Sequence, residues 1–179
     1  MAILRKNRLR LSLIMPLALA ACDIAGENET LTQAAAQEAT DRSALTVYKS
    51  LSCMCCGQWM AHVEHAAFAT VSRPVGRMSA VKRQFGIEPR YRSCHTAISE
   101  SGYVFEGHIP ARLIQRFLAD PPDDAIGLAV PGMPLGSPGM ESGDRFMPYD
   151  VLLLEKGGTS RVYASVTSPD QQYSTERQR

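Results

Sequence analysis

No stretch of this chain is long and apolar enough to span a bilayer: its one sustained early apolar run, Leu11 to Ala21, is roughly half what a transmembrane helix needs. No dense cluster of carboxylates is present, which argues against a calcium or magnesium centre. A Ser/His/Asp set, a phosphate-cradling glycine loop and a paired-carboxylate site are all absent, so hydrolytic and phosphoryl-transfer chemistry have no recognisable residues to run on. Positive charge is scarce where it would matter. Of 19 Lys and Arg, four (Arg5, Lys6, Arg8 and Arg10) crowd the first ten residues, and 18 Asp and Glu offset the rest. A nucleic-acid binder needs clustered positive charge to displace counterions, and this chain lacks it.

The basic start followed by the short apolar run has the form of a secretory signal. Its end, Leu19-Ala20-Ala21-Cys22, looks like a bacterial lipobox, in which Cys22 is acylated and becomes the mature N-terminus. An ordinary signal peptide that happens to end beside a cysteine is the alternative. Asp23 after the lipidated position resembles a signal for retention on the inner membrane. The expected location is therefore the periplasm, lipid-anchored to that membrane. Removing residues 1–21 leaves 158 residues with 15 basic against 18 acidic side chains, a net charge of −3. Residues 22–43 are polar and rich in Ala, Glu, Gln and Thr, which suits a flexible tether. One compact domain is expected over residues 44–166, and residues 167–179 are polar enough to be a disordered tail.

With Cys22 acylated, Cys53, Cys55, Cys56 and Cys94 remain. Four cysteines in an oxidising compartment usually mean disulfides. Three thiols within four residues, however, cannot staple distant parts of a fold, so their clustering calls for a chemical explanation. The surrounding pattern predicts a first strand at Ala44–Tyr48, and then a helix whose apolar face carries Trp59, Met60, Val63, Ala66 and Ala67. A second strand is expected near 68–75, and a short helix over 79–85 with Ser79 as its cap. Two strands flank the Ser101-Gly102 turn. The clearest helix runs from Pro110 to Asp120, with Leu113, Ile114, Phe117 and Leu118 on one face. Residues 121–149 are dense in Pro and Gly and read as loop, before a final hairpin about Gly157-Gly158. This order, with Cys53 and Cys56 spaced Cys-x-x-Cys between strand and helix, predicts an α/β, thioredoxin-like fold: a mixed central sheet of four or five strands flanked by helices.

At the start of a helix, free backbone N–H groups and the helix dipole favour thiolate over thiol. Adjacent thiolates repel one another unless a cation sits among them, and a soft ion such as Cu(I), singly or as a multinuclear cluster, satisfies that arrangement best. Zinc is the competing metal. Cys94, in Arg92-Ser93-Cys94-His95-Thr96, is placed to enter as a fourth sulfur from the loop facing the helix start, where thioredoxins carry a proline. His95 is a further donor, and His108 a ligand or an outer-sphere group. Pro131-Gly132-Met133 and Pro138-Gly139-Met140 are near-copies seven residues apart, with Met147 another seven on. Thioether sulfur suits Cu(I), although methionine more often fills a core. His62 and His65 share a helix face and are expected to be solvated or partly packed. Trp59 is expected to be a core or wall residue. Two other uses of the cysteines stay open: thiol–disulfide exchange through Cys53 and Cys56, and plain structural bridging.

Four blocks in order, Tyr48-Lys49-Ser50 leading into Cys53-Met54-Cys55-Cys56-Gly57, Arg92 to Thr96, Gly107-His108-Ile109-Pro110, and Val130 to Glu141, resemble the CopG-like copper-resistance proteins. The resemblance covers Leu45 to Tyr163. It implies a thioredoxin-like fold, copper held by Cys53, Cys55 and Cys56 with Cys94 beside them, redox cycling between Cu(I) and Cu(II), and a role in periplasmic copper handling; an efflux or copper-delivery protein is the expected partner. Met54 departs from the pattern at a spacer position where a small residue is expected, so it either adds a thioether or crowds the site.

Overall fold

The computed structural model describes residues 43–173. The expected leader, the expected lipidation site Cys22 and nearly all of the expected tether lie outside the described residues, as does the chain beyond Tyr173. Within them, no helix is long and apolar enough to cross a membrane.

Seven strands form one mixed sheet in the order β2-β1-β3-β4-β5-β6-β7. Strand β1 (Ala44–Lys49) alternates, burying Leu45 and Val47, and runs parallel to β2 (Ala69–Pro74). Between them lies helix α1 (Met54–His65). After a short helix α2 (Met78–Gln84), β3 (Thr96–Ser99) returns antiparallel to β1, and β4 (Val104–Glu106) pairs antiparallel with β3. These four strands and the two helices between them reproduce the expected thioredoxin-like arrangement. Helix α3 (Ala111–Ala119) then crosses to β5 (Ala125–Ala129), which runs parallel to β4, and the hairpin β6 (Tyr149–Glu155) and β7 (Ser160–Val166) closes the far edge.

Each strand sends alternate side chains to opposite faces, so the sheet has two cores. On one face α1 and α3 set Trp59, Val63, Leu113, Ile114 and Phe117 against Leu45, Val47, Phe105, Leu128 and Leu153. On the other, Ile87 and Tyr91 pack with Val104, Ala129 and Leu154, beside Phe85 at the end of α2.

The structure corrects the sequence reading in three places. Residues 125–129 are a strand, not loop, and the sheet has seven strands rather than four or five. The apolar run Ala-Ile-Gly-Leu-Ala was masked by its glycine and by the prolines before and after it. That glycine is required: at Gly127, φ +150°, an added Cβ would fall 1.8 Å from the Val104 carbonyl oxygen of the neighbouring strand. Ser79 does not cap α2; Arg77 holds that position without a side-chain hydrogen bond, and Ser79 lies inside the first turn. Finally, the chain is still packed beyond residue 167. A 3-10 turn at Pro169–Gln172 buries Gln172, whose Oε1 accepts from the Tyr149 hydroxyl at 2.6 Å and whose Nε2 donates to the Gly136 carbonyl at 2.9 Å. An exposed-looking polar sequence is ordered because one amide finds two buried partners.

Candidate metal centre

The connection from β1 puts Cys53, in extended conformation, at the N-cap of α1, with its N–H bonded to the Ser50 carbonyl at 3.2 Å. Cys55 and Cys56 therefore lie in the first turn, among the backbone N–H groups that a helix start leaves unpaired. Cys53 and Cys56, three apart, fall on the same face and are joined as a disulfide, with Cα atoms 5.4 Å apart. Cys55 and Cys94 are free.

Cys94 reaches this cluster from the turn that leads into β3. Its Sγ lies 3.7 Å from Cys56 Sγ and 4.0 Å from Cys55 Sγ, while Cys55 Sγ is 3.6 Å from Cys53 Sγ. A metal bound tetrahedrally by thiolates at about 2.3 Å sets its sulfurs about 3.8 Å apart. These three spacings match the edges of such a tetrahedron, and opening the Cys53–Cys56 bond would let those two sulfurs separate as well.

Two imidazoles complete the group. His108 Nδ1 lies 2.7 Å from the Pro138 carbonyl, which can only accept, so Nδ1 carries the proton and Nε2 keeps its lone pair. That lone pair is 3.0 Å from Cys94 Sγ. This is the outer-sphere device that fixes a ligating histidine in one tautomer. His95 Nδ1 lies 3.2 Å from the same sulfur, and its Nε2 is buried with no hydrogen-bond partner. Trp59 stacks obliquely on His95 with ring centroids 4.4 Å apart, and is anchored by its indole N–H to the Ile109 carbonyl at 2.9 Å. It is a wall of the site.

Burial sets the protonation states. Burial first, and then the adjacent Cys55, pushes the Cys94 thiol up to about 12. Burial holds His95 well below the usual imidazole range, reinforced by His108 and Lys82, and it lowers His108 against the opposing pull of Pro138 and Glu141. Both rings are thus neutral, as metal ligands must be, and a metal entering here displaces a thiol proton.

The structure brings Cys53, Cys55, Cys56 and Cys94 within 4.8 Å of one another, and likewise Cys94, His95 and His108. The methionines stand further out. Met133 is about half exposed, on a loop tied to the Cys94 turn by the Gly132 N–H to the Arg92 carbonyl at 3.0 Å. Met140 is half-buried and follows Gly139, which lies flat against the backbone of Cys55 and Trp59. Met147 and Met54 are exposed, so Met54 does not crowd the sulfurs. His62 accepts the Ala111 N–H at 3.0 Å and serves as a cap for α3, and His65 faces solvent; neither joins the cluster. Sequence reasoning missed the Pro138 carbonyl, whose role is carried by backbone, and the buried Lys82 and Glu106 behind the Cys94 turn.

A thioredoxin-like scaffold on which four cysteine sulfurs and two neutral imidazoles converge defines a cysteine-rich domain with a candidate metal site. Residues 91–140 match a family described as "Protein of unknown function, DUF411". Two solved structures, titled "Copper resistance protein copG- Form 2" and "Copper resistance protein copG- Form 1", are each 38% identical with TM-score 0.67; the alignments cover 71% and 72% of this chain and 100% of each of theirs. Among curated proteins, none matches. The chain belongs to the CopG-like family.

Proposed function

We propose that this chain is a copper-handling protein of the periplasm, which takes Cu(I) as cargo at Cys53, Cys55, Cys56 and Cys94, with His108 and His95 alongside and the cluster able to hold more than one ion. The observation that carries the reading is the convergence of free thiols and lone-pair imidazole at sulfur spacings that suit a tetrahedral soft cation. The relatives' titles, which name copper resistance, support the choice of copper over zinc. Loading requires the reduced site: the Cys53–Cys56 bond takes two electrons and two protons from a pair of donor thiols, which leave as a disulfide, and the two thiols so formed release their protons to solvent as the metal binds. Membership of the cluster by Met133 and Met140 belongs to the same proposal, as thioethers on the connection between β5 and β6. So does redox cycling of bound copper. Acylation at Cys22 would hold the domain beside an efflux or delivery protein of the inner membrane.

The Cys53–Cys56 disulfide at a helix start favours a second reading, thiol–disulfide exchange on other proteins. One experiment separates the two. The reduced chain is loaded anaerobically with Cu(I) and Zn(II) in competition, then assayed for metal and thiols. Chelator-resistant Cu(I) at one or more ions per chain, lost in Cys55→Ser and in Cys94→Ser, supports copper handling. No retained copper, with a reversible Cys53–Cys56 bond that reduces a test protein, sinks it and promotes the exchange reading.

A further inference from the structure

We propose that the buried Lys82–Glu106 ion pair is a positioning device for the metal centre: it holds the turn from Ser93 to Thr96 so that Cys94 and His95 meet the thiols of α1. The proposal rests on reading that cluster as a metal site.

Lys82 is 4% exposed and Glu106 is fully buried, and the two form an ion pair. Their other contacts all end on the same turn. Glu106 Oε1 accepts the Ser93 backbone N–H at 2.6 Å, and Oε2 accepts the Thr96 hydroxyl at 2.6 Å. The Lys82 ammonium also donates to Thr96 Oγ1, at 3.1 Å. Residues 93 and 96 bracket Cys94 and His95, so the pair grips the turn on both sides of its two metal-site side chains.

Stability does not explain this arrangement. Two charges taken out of water cost several kcal/mol each, and apolar side chains of similar size usually serve the fold as well or better. Strand register does not need it either, because Thr96 and Glu106 are already partners in the β3–β4 ladder. Lys82 is, moreover, the single buried residue of α2. The one buried position of that helix is given to a cation rather than to an apolar anchor. A fixed turn accounts for all three facts. The Ser93 N–H, which precedes Cys94, and the Thr96 side chain, which follows His95, are both tied to one carboxylate that the lysine holds in place.

The test is Lys82→Met combined with Glu106→Leu, which exchanges the pair for apolar side chains of similar size. Co(II) serves as a visible probe of the thiolate site, alongside amide hydrogen exchange in the reduced, metal-free chain. The expected result is a chain that still unfolds cooperatively, loss of protection at the Ser93 amide, Co(II) affinity about ten- to hundred-fold weaker, and an altered thiolate-to-cobalt absorption. Native affinity together with a native absorption spectrum would overturn the proposal. If the double variant does not fold, Thr96→Val removes one grip at constant shape; it too is expected to change the absorption, and an unchanged spectrum overturns the idea. Should the unmodified chain bind neither Co(II) nor Cu(I), the metal reading itself fails. Positioning is then judged by the alkylation rate of Cys94 in the metal-free chain, which must change in the double variant for the proposal to stand.

Discussion

The two Pro-Gly-Met copies provide an internal control for how the metal centre is assembled. Gly132 and Gly139 both have positive φ, +70° and +83°. Around Gly132 an added Cβ meets nothing within 4 Å, whereas at Gly139 it would lie 2.7 Å from the Trp59 amide nitrogen and 2.8 Å from the Cys55 carbonyl oxygen. Both neighbours are helix backbone and cannot step aside. Alanine at either position incurs left-handed strain of about 1–2 kcal/mol, offset in part by the stiffer unfolded chain. These contributions cancel between the two variants. What remains is the overpacking at Gly139, worth roughly 1–3 kcal/mol. Gly139→Ala should therefore be less stable than Gly132→Ala by that amount, measured by urea unfolding of the reduced, metal-free chain with the single tryptophan, Trp59, as the fluorescent probe. The same displacement would lift the Pro138 carbonyl from His108 Nδ1, so Cu(I) affinity should fall for Gly139→Ala and stay near native for Gly132→Ala. Equal unfolding free energies, within about 0.5 kcal/mol, would refute the close approach of this loop to α1.

Two further outcomes are expected. Because His95 stays neutral when folded and titrates near 6.5 when unfolded, the unfolded state binds more protons below that pH; stability is present above about 6.5 and is lost on acidification, by about 1.4 kcal/mol per pH unit for this residue alone. Chemical unfolding at pH 7.5, 6.0 and 5.0 reads the slope, and His95→Phe should reduce it, leaving the part due to His62 and His108. Gln172→Ala leaves the Tyr149 hydroxyl and the Gly136 carbonyl without their buried partner and should cost about 1–3 kcal/mol for each group; a loss below about 0.5 kcal/mol in thermal or urea unfolding would mean that the 169–172 turn is not part of the folded unit.

Local pattern was enough for the front half of the fold. The alternation in Ala44–Lys49, the apolar face of α1 and the proline start of α3 are properties of neighbouring residues, and the thioredoxin-like order follows from stringing them together. The cysteines were legible for the same reason. Three thiols in four positions announce their chemistry whatever surrounds them, and Cys94 could be assigned from the order of elements. Strand β5 was not legible, because a central strand buried on both faces shows no alternation and Gly127 breaks its apolar run. The ordered turn at residues 169–172 was hidden by its polar composition.

What the amino-acid sequence determined by itself, then, was the kind of chemistry and the layout of the scaffold: soft donors at a helix start, within an α/β chain. Only the tertiary structure decided which donors meet. It set His95 and His108 against Cys94 while leaving His62 and His65 on other duties, although all four are histidines beside apolar residues. It also bent a proline carbonyl and a buried lysine–glutamate pair into supporting roles. Those assignments depend on contacts between residues 14 to 49 positions apart. The physical reason is that a ligand's protonation and direction are set by burial and by hydrogen-bond partners across the sheet, and neither quantity exists until the strands have paired.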